Sequence, residues 1–306
     1  MASDPAAASR RIREEATTLS SRLPSLVVAA RQVAYSLMHG VHGRRQAGPG
    51  ETFWQFRPFL SGEPAARVDW RRSARENRAF VREREWEASH TVWIWFDRGA
   101  SMAFGSDLAA GLKVDRAAVL ALALADLAVR GGERAGFIGL TRPLATRSII
   151  ERFAEAIAAD ERLRGAPSSG LPPTEPVRGR CKVVLIGDFL SEPEDIQRTI
   201  RTLAGGGAEG QLLMIADPIE EIFPFSGHTE FLEAGGAARL RAPRAQTLRD
   251  AYLKRLAAHR EAVRAACAAR GWDFALHRTD QSAAQALLAL RARLAGPELA
   301  TAAGGA

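Results

Sequence analysis

Cysteine is nearly absent from this sequence: Cys181 and Cys267 are the only two in 306 residues. They form no CxxC pair, which removes a zinc ribbon or a dithiol redox motif, and each reads as a small buried hydrophobe in a reducing compartment. No stretch approaches the roughly 18–20 uncharged apolar residues that a membrane helix needs. The nearest, from Leu26 to Met38, is interrupted by Arg31 and Gln32 and lacks a small-residue cleavage site. Neither anchor nor signal peptide is therefore expected, and the expected location is cytoplasmic. The common catalytic signatures are missing as well: no GxSxG elbow, no phosphate loop of the GxxxxGK type, no HExxH helix. The six histidines (39, 42, 90, 228, 259 and 277) are scattered without ligand spacing, and only His39 and His42, in a glycine-rich loop, form a pair worth testing. These absences predict a protein that is not an enzyme.

What is present is ample apolar content, at 46% of residues, and a basic balance of +7 in which arginine far outnumbers lysine. That balance permits nucleic acid, an anionic surface or an acidic protein as partner without choosing among them. The chain divides on pattern into an N-terminal module (1–88), an α/β domain (89–296) and a disordered tail (297–306). Apolar residues recur at helical spacing between Ile12 and Met38, broken near Pro24, which predicts one or two amphipathic helices. Residues 39–52 read as a basic glycine loop, and a stretch rich in Arg, Trp and Phe follows to about Ala88.

From Thr91 the pattern changes. TVWIWFD, CKVVLIGD and QLLMIAD are apolar runs that read as strands buried on both faces, each ending in aspartate. Helices are expected at about 108–130, 148–163, 191–204, 245–270 and 282–294, the third capped by Ser191 with Glu194 completing a capping box. Weaker strands are expected at 135–140 and 272–276, with a hairpin arm near 144–146. Strands alternating with long helices predict a doubly wound, mostly parallel sheet with helices on both faces, preceded by a helical and irregular N-terminal module.

Ligands of such sheets bind beyond the carboxyl ends of the strands, where strand order reverses. Asp217, followed by Pro218, reads as a turn and helix cap. Asp97 and Asp188 are not needed as caps, and with Ser101 nearby they offer hard oxygen ligands suited to Mg²⁺ or a similar divalent cation. Asp97-Arg98-Gly99-Ala100-Ser101 resembles the Asp-x-Ser-x-Ser metal-ion-dependent adhesion site of von Willebrand factor A domains, and Asp188 matches that family's second aspartate. The resemblance implies a metal set of Asp97, Ser101 and Asp188. Gly99 stands where the first serine is expected, and Ser168, Ser169 and Thr174 lie in a loop that could supply the distal hydroxyl.

The upstream segment is more specific. Gly43-Arg44, Glu51, Arg57-Pro58-Phe59, Gly62-Glu63, Arg67, Asp69-Trp70 and Ser73-Ala74-Arg75 stand in the order and spacing of the DUF58 hallmark, which this chain resembles from about His39 to Leu190. Members of that family are von Willebrand A-like proteins found with MoxR-type AAA+ ATPases. The resemblance therefore implies a non-catalytic adaptor for such an ATPase and a client protein, with Arg57, Phe59, Arg67, Asp69, Trp70 and Arg75 as partner-binding residues. On charge alone the same arginines and acids also suit an internal network that pins the segment down. Two other classes compete. A nucleic-acid binder could use the basic aromatic stretch 43–86, although its closely interleaved acids argue against a continuous positive stripe. A metal-assisted hydrolase could use Asp97 and Asp188.

Overall fold

The computed structural model describes residues 19–40, 53–58, 73, 79–84, 90–163, 170–173, 177 and 181–294; for 39–40, 53–58 and 81–84 the backbone alone is described. The chain forms two compact units, one of residues 1–40 with 90–306 and one of residues 41–89.

In the smaller unit, β1 (Phe53–Pro58) and β2 (Phe80–Arg84) pair antiparallel, with a register irregularity between Phe53 and Gln55. Ser73 Oγ accepts a hydrogen bond from Phe80 N at 2.9 Å.

The larger unit is built on β3 (Thr91–Phe96), β4 (Arg134–Phe137), β5 (Cys181–Gly187), β6 (Glu209–Ala216) and β9 (Asp273–Arg278). All neighbours are parallel and the order is β4-β3-β5-β6-β9. This is the doubly wound, Rossmann-type class expected of a von Willebrand A-like chain. One face carries α2 (Lys113–Arg130), α3 (Ile149–Leu163) and α7 (Ala283–Leu294), packed on Val92, Ile94, Phe96, Val184, Ile186, Leu213 and Ile215. The other carries α4 (Pro193–Ala204) and α6 (Arg249–Ala268), packed on Trp95, Val183, Leu185, Leu212 and Met214. The alternation of these residues along each strand is the period-2 consequence of a sheet covered on both sides.

Strand order reverses between β3 and β5. The chain leaves β3 through α2 on one face, and leaves β5 through α4 on the other. An isolated antiparallel bridge, Ala135 with Leu144, turns the chain back along β4, where the hairpin arm was expected. Helix α3 then climbs toward the carboxyl end of the sheet, where Arg98 Nη1 binds Asp160 and Glu161 at 2.9 and 3.2 Å.

Three expectations need correction. The helix after β3 starts at Lys113 rather than near 108, because residues 105–112 form turns that include Gly111 at φ 137°. Helix α4 is capped by Glu192 without a side-chain hydrogen bond, so the Ser191 capping box does not form. Pro193 at the first helical position holds Glu192 extended and pushes Ser191 one residue too far out. The expected break at Pro24 is also absent: α1 (Leu19–Gly40) runs through it as one helix.

Helix α1 also does not group with residues 41–88. Residues Ala117 to Ala128 of α2 are buried all round, and a helix apolar on every side needs cover opposite the sheet. Leu19, Leu23, Leu26, Ala30, Ala34 and Leu37 of α1 supply it within the same core. Arg22 to Asp115 (3.0 Å) and Arg31 to Glu151 pin α1 to α2 and α3.

Residues 218–243 contain the short helix α5 (Pro218–Ile222) and the hairpin β7 (Thr229–Leu232) with β8 (Arg239–Ala242). Among the described residues no helix is long and apolar enough to cross a membrane.

Candidate functional site at the strand ends

The site is built where strand order reverses. Asp97 follows β3 and Asp188 follows β5, so two carboxylates flank the crevice in which doubly wound sheets bind ligands. Asp97 is fully buried. Its backbone N–H donates to Ile186 O at 2.8 Å, and its Oδ1 accepts from Gly99 N at 2.7 Å. The other oxygen, Oδ2, is buried and among the described residues has no hydrogen-bond partner. Burial, then the charge of Asp188, pushes the Asp97 carboxyl up to about 6. Gly187 makes this approach possible: a Cβ there would lie 2.9 Å from Asp97 Cβ.

Asp188 has a partner that the sequence did not announce. Lys113, at the first position of α2 and only 1% exposed, places Nζ 3.0 Å from Asp188 Oδ2 and 2.8 Å from Glu220 Oε1. Burial by itself would lower the lysine pKa, but Asp188 and then Glu220 outweigh it and hold the ammonium above its ordinary value. The Phe104 ring lies over the same Nζ, 5.8 Å from its centroid. Glu220 works twice, since its Oε2 accepts from Asp217 N at 2.8 Å.

Asp217 has the role expected of it. It caps α5 by accepting from Ile219 N at 2.9 Å, in a capping box with Glu220. It also holds the loop after β3, accepting from Ser106 N at 2.8 Å and Ser106 Oγ at 2.5 Å. Lys113, Glu220 and Ser106 thus tie the ends of β3, β5 and β6 together.

The remaining candidates fall as follows. Ser101 sits half-buried in the 3-10 turn Ala100–Met102, and among the described residues its hydroxyl makes no hydrogen bond. Arg98 turns away to α3. Ser168, Ser169 and Thr174 lie outside the described residues, but neighbouring Gly170 is close: a Cβ there would be 3.8 Å from Asp97 Oδ2 and 3.4 Å from Ser191 Oγ. Arg57 is in β1, its side chain undescribed, and Phe59, Arg67, Asp69, Trp70 and Arg75 lie outside the described residues, as does His42. His39 is the penultimate residue of α1, its side chain likewise undescribed.

Whether this set suits a divalent ion can be judged from its own chemistry. Gly99 offers no hydroxyl, and Asp188 Oδ2 already holds an ammonium. Among the described residues no three His, Cys, Asp or Glu side chains are grouped so as to hold a metal. A Mg²⁺ placed beside Asp188 would meet a buried like charge, which low dielectric makes costly. Among the described residues the donor set does not by its own chemistry fit a divalent cation.

Exposed apolar side chains crowd the same end. Phe104 and Leu108 follow β3, Leu190 follows β5 and Ile222 follows β6, all more than a third exposed. Leu163, at the end of α3 beside the residues that bind Arg98, is the most exposed at 87%. Phe189, between Asp188 and Leu190, takes a left-handed conformation at φ 47° although it is not glycine. Its ring is buried against Trp95, and its carbonyl accepts from His259 Nε2 at 2.7 Å, which over-determines the strained backbone and turns Leu190 outward.

Comparisons with known proteins place the chain in a family. The chain is 26% identical over 275 residues to Uncharacterized protein Rv1480 of Mycobacterium tuberculosis and to Uncharacterized protein Mb1516 of Mycobacterium bovis, covering 86% of each chain in both cases. Two crystal structures are similar in part. One is an aerotolerance-related membrane protein from Bacteroides fragilis, 14% identical, with a TM-score of 0.38, spanning 67% of this chain and 98% of that one. The other is the conserved hypothetical protein BatB from Bacteroides thetaiotaomicron, 14% identical, with a TM-score of 0.34, spanning 68% and 99%. Residues 55–262 match the family described as "Protein of unknown function DUF58", and with two thirds of its length inside that match the chain belongs to the DUF58 family.

Proposed function

We propose that this chain is a protein-binding adaptor whose strand-end face docks a partner, and that the partner is a MoxR-type AAA+ ATPase acting on a client complex. The observation that carries the reading is that Phe104, Leu108, Leu163, Leu190 and Ile222 are exposed at the end of the unit that holds the Lys113, Asp188 and Glu220 ion pairs. Exposed apolar side chains gathered at one end of a folded unit mark an interaction surface, whereas singly scattered ones need no explanation. The buried ion pairs and the strained Phe189 backbone fix the loops that carry them, and preorganised loops bind without a large ordering cost. The ATPase comes from the family resemblance.

The experiment is an affinity purification from lysate of the native cell with the tagged wild-type chain and a Phe104→Ser/Leu190→Glu variant. The reading expects an AAA+ ATPase with the wild type and its loss with the variant, both chains melting alike. Equal recovery by both would overturn the assignment of this face. Recovery of nucleic acid in place of the ATPase would overturn the adaptor reading itself.

A further inference from the structure

We propose that the Lys113 ammonium is the resident cation of the strand-end site, serving Asp188 in place of the divalent ion of the adhesion motif, so that Asp188 is held without metal. The position of Lys113 is otherwise unfavourable. A cation in the first turn of a helix opposes the helix dipole, and a lysine with 1% exposure has lost its hydration. Both costs are offset by the carboxylates it touches, Asp188 after β5 and Glu220 from α5. The residue choice also tells. Lys113 is one of three lysines in a chain of 42 basic residues. A guanidinium is planar and forked, while an ammonium is a compact point charge with three donors, the closer substitute for an ion held by oxygens.

A position without a ligand hydroxyl and a buried cation stand close together. Gly99 removes a hydroxyl that a metal would use. Lys113 arrives on the helix that follows the same loop, its backbone N–H bound to Phe104 O at 2.9 Å and its Nζ beneath the Phe104 ring. The buried Nζ therefore neutralises Asp188 from inside the fold and needs no ion from solvent. This holds whether or not the adaptor reading does. If both hold, capture of the ATPase is insensitive to EDTA.

The test reads metal and stability alone, on the full chain, with Mn²⁺ as the probe. After EDTA treatment, free Mn²⁺ is followed by electron paramagnetic resonance against added protein, and thermal unfolding is recorded with and without Mn²⁺. The wild type is expected to take up no Mn²⁺ and to melt at an unchanged midpoint. Lys113→Met is expected to melt lower in EDTA and to regain part of that shift with one Mn²⁺ bound. Stoichiometric Mn²⁺ uptake by the wild type that Asp188→Asn abolishes would overturn the proposal. So would a Lys113→Met chain that melts as high as the wild type in EDTA. Should Lys113→Met fail to fold, the wild-type and Asp188→Asn titrations still decide.

Discussion

Burial and the nearby Asp188 charge raise the Asp97 carboxyl to about 6, and among the described residues its Oδ2 receives no hydrogen bond. A carboxyl raised above its ordinary 3.8 makes the fold bind the proton more tightly than the unfolded chain does. Its ionisation therefore costs stability as pH rises from 3.8 to about 6, and the full cost stands above that window. Asp97→Asn keeps an acceptor for Gly99 N and removes the charge, so it is expected to gain up to about 3 kcal/mol at neutral pH, read as a higher urea midpoint at unchanged slope. Unchanged or lower stability would contradict this account of the carboxylate. His277 works in the opposite direction. Burial and Arg116, whose Nη1 lies 3.3 Å from Nε2, lower it to about 4. An arginine can only donate, so the ring is neutral with Nε2 as acceptor. A depressed histidine contributes stability that is present above 6.5 and is lost as pH falls toward about 4. The two residues thus oppose each other across nearly the same window. Asp97→Asn should steepen the acid loss by leaving His277 unopposed, and urea titrations between about pH 4 and 6.5 would show it.

At the scale of elements, the ends of β3 and β5 meet more closely than a side chain at position 187 allows. Gly187→Ala would set a Cβ 2.9 Å from Asp97 Cβ and force the two strand ends apart. Overpacking of that kind costs about 1–3 kcal/mol, and here it should also lower ATPase capture, because Asp188 and Leu190 move with the strand end. Chemical unfolding beside the affinity purification would check both. Strands β3, β5 and β6 were legible in the sequence because each is an apolar run closed by aspartate, and the role of Asp217 followed from the proline after it. Ser191 misled because a serine three residues before an acid looks like a capping box, while Pro193 decides where the helix begins. Lys113 was missed for a different reason: its partners are 75 and 107 residues away, and no local pattern encodes them. Its rarity among so many arginines was the one signal available.

Over the whole molecule, the sheet domain extends to include the N-terminal helix. The all-round apolar pattern of α2 was visible in the sequence, and it implied a cover that the division at residue 88 overlooked. Removing residues 1–40 would bare that surface, and the truncated chain should aggregate or melt far below the full chain in a thermal scan; an unchanged midpoint would contradict the packing of α1. The fold class and the place of the site followed from strand alternation and the reversal rule. The exposed ring of apolar residues did not, because exposure is set by the tertiary arrangement of loops far apart in sequence. That ring carries the central claim, and photo-crosslinking tests it directly. A photo-reactive residue is placed in turn at Leu108, at Leu190 and, as a control at the opposite end of the sheet, at exposed Glu209, where β6 begins. The account predicts that an AAA+ ATPase crosslinks in the native cell from Leu108 and Leu190 and not from Glu209. Crosslinks from Glu209 alone, or to nucleic acid from the strand-end positions, would contradict it.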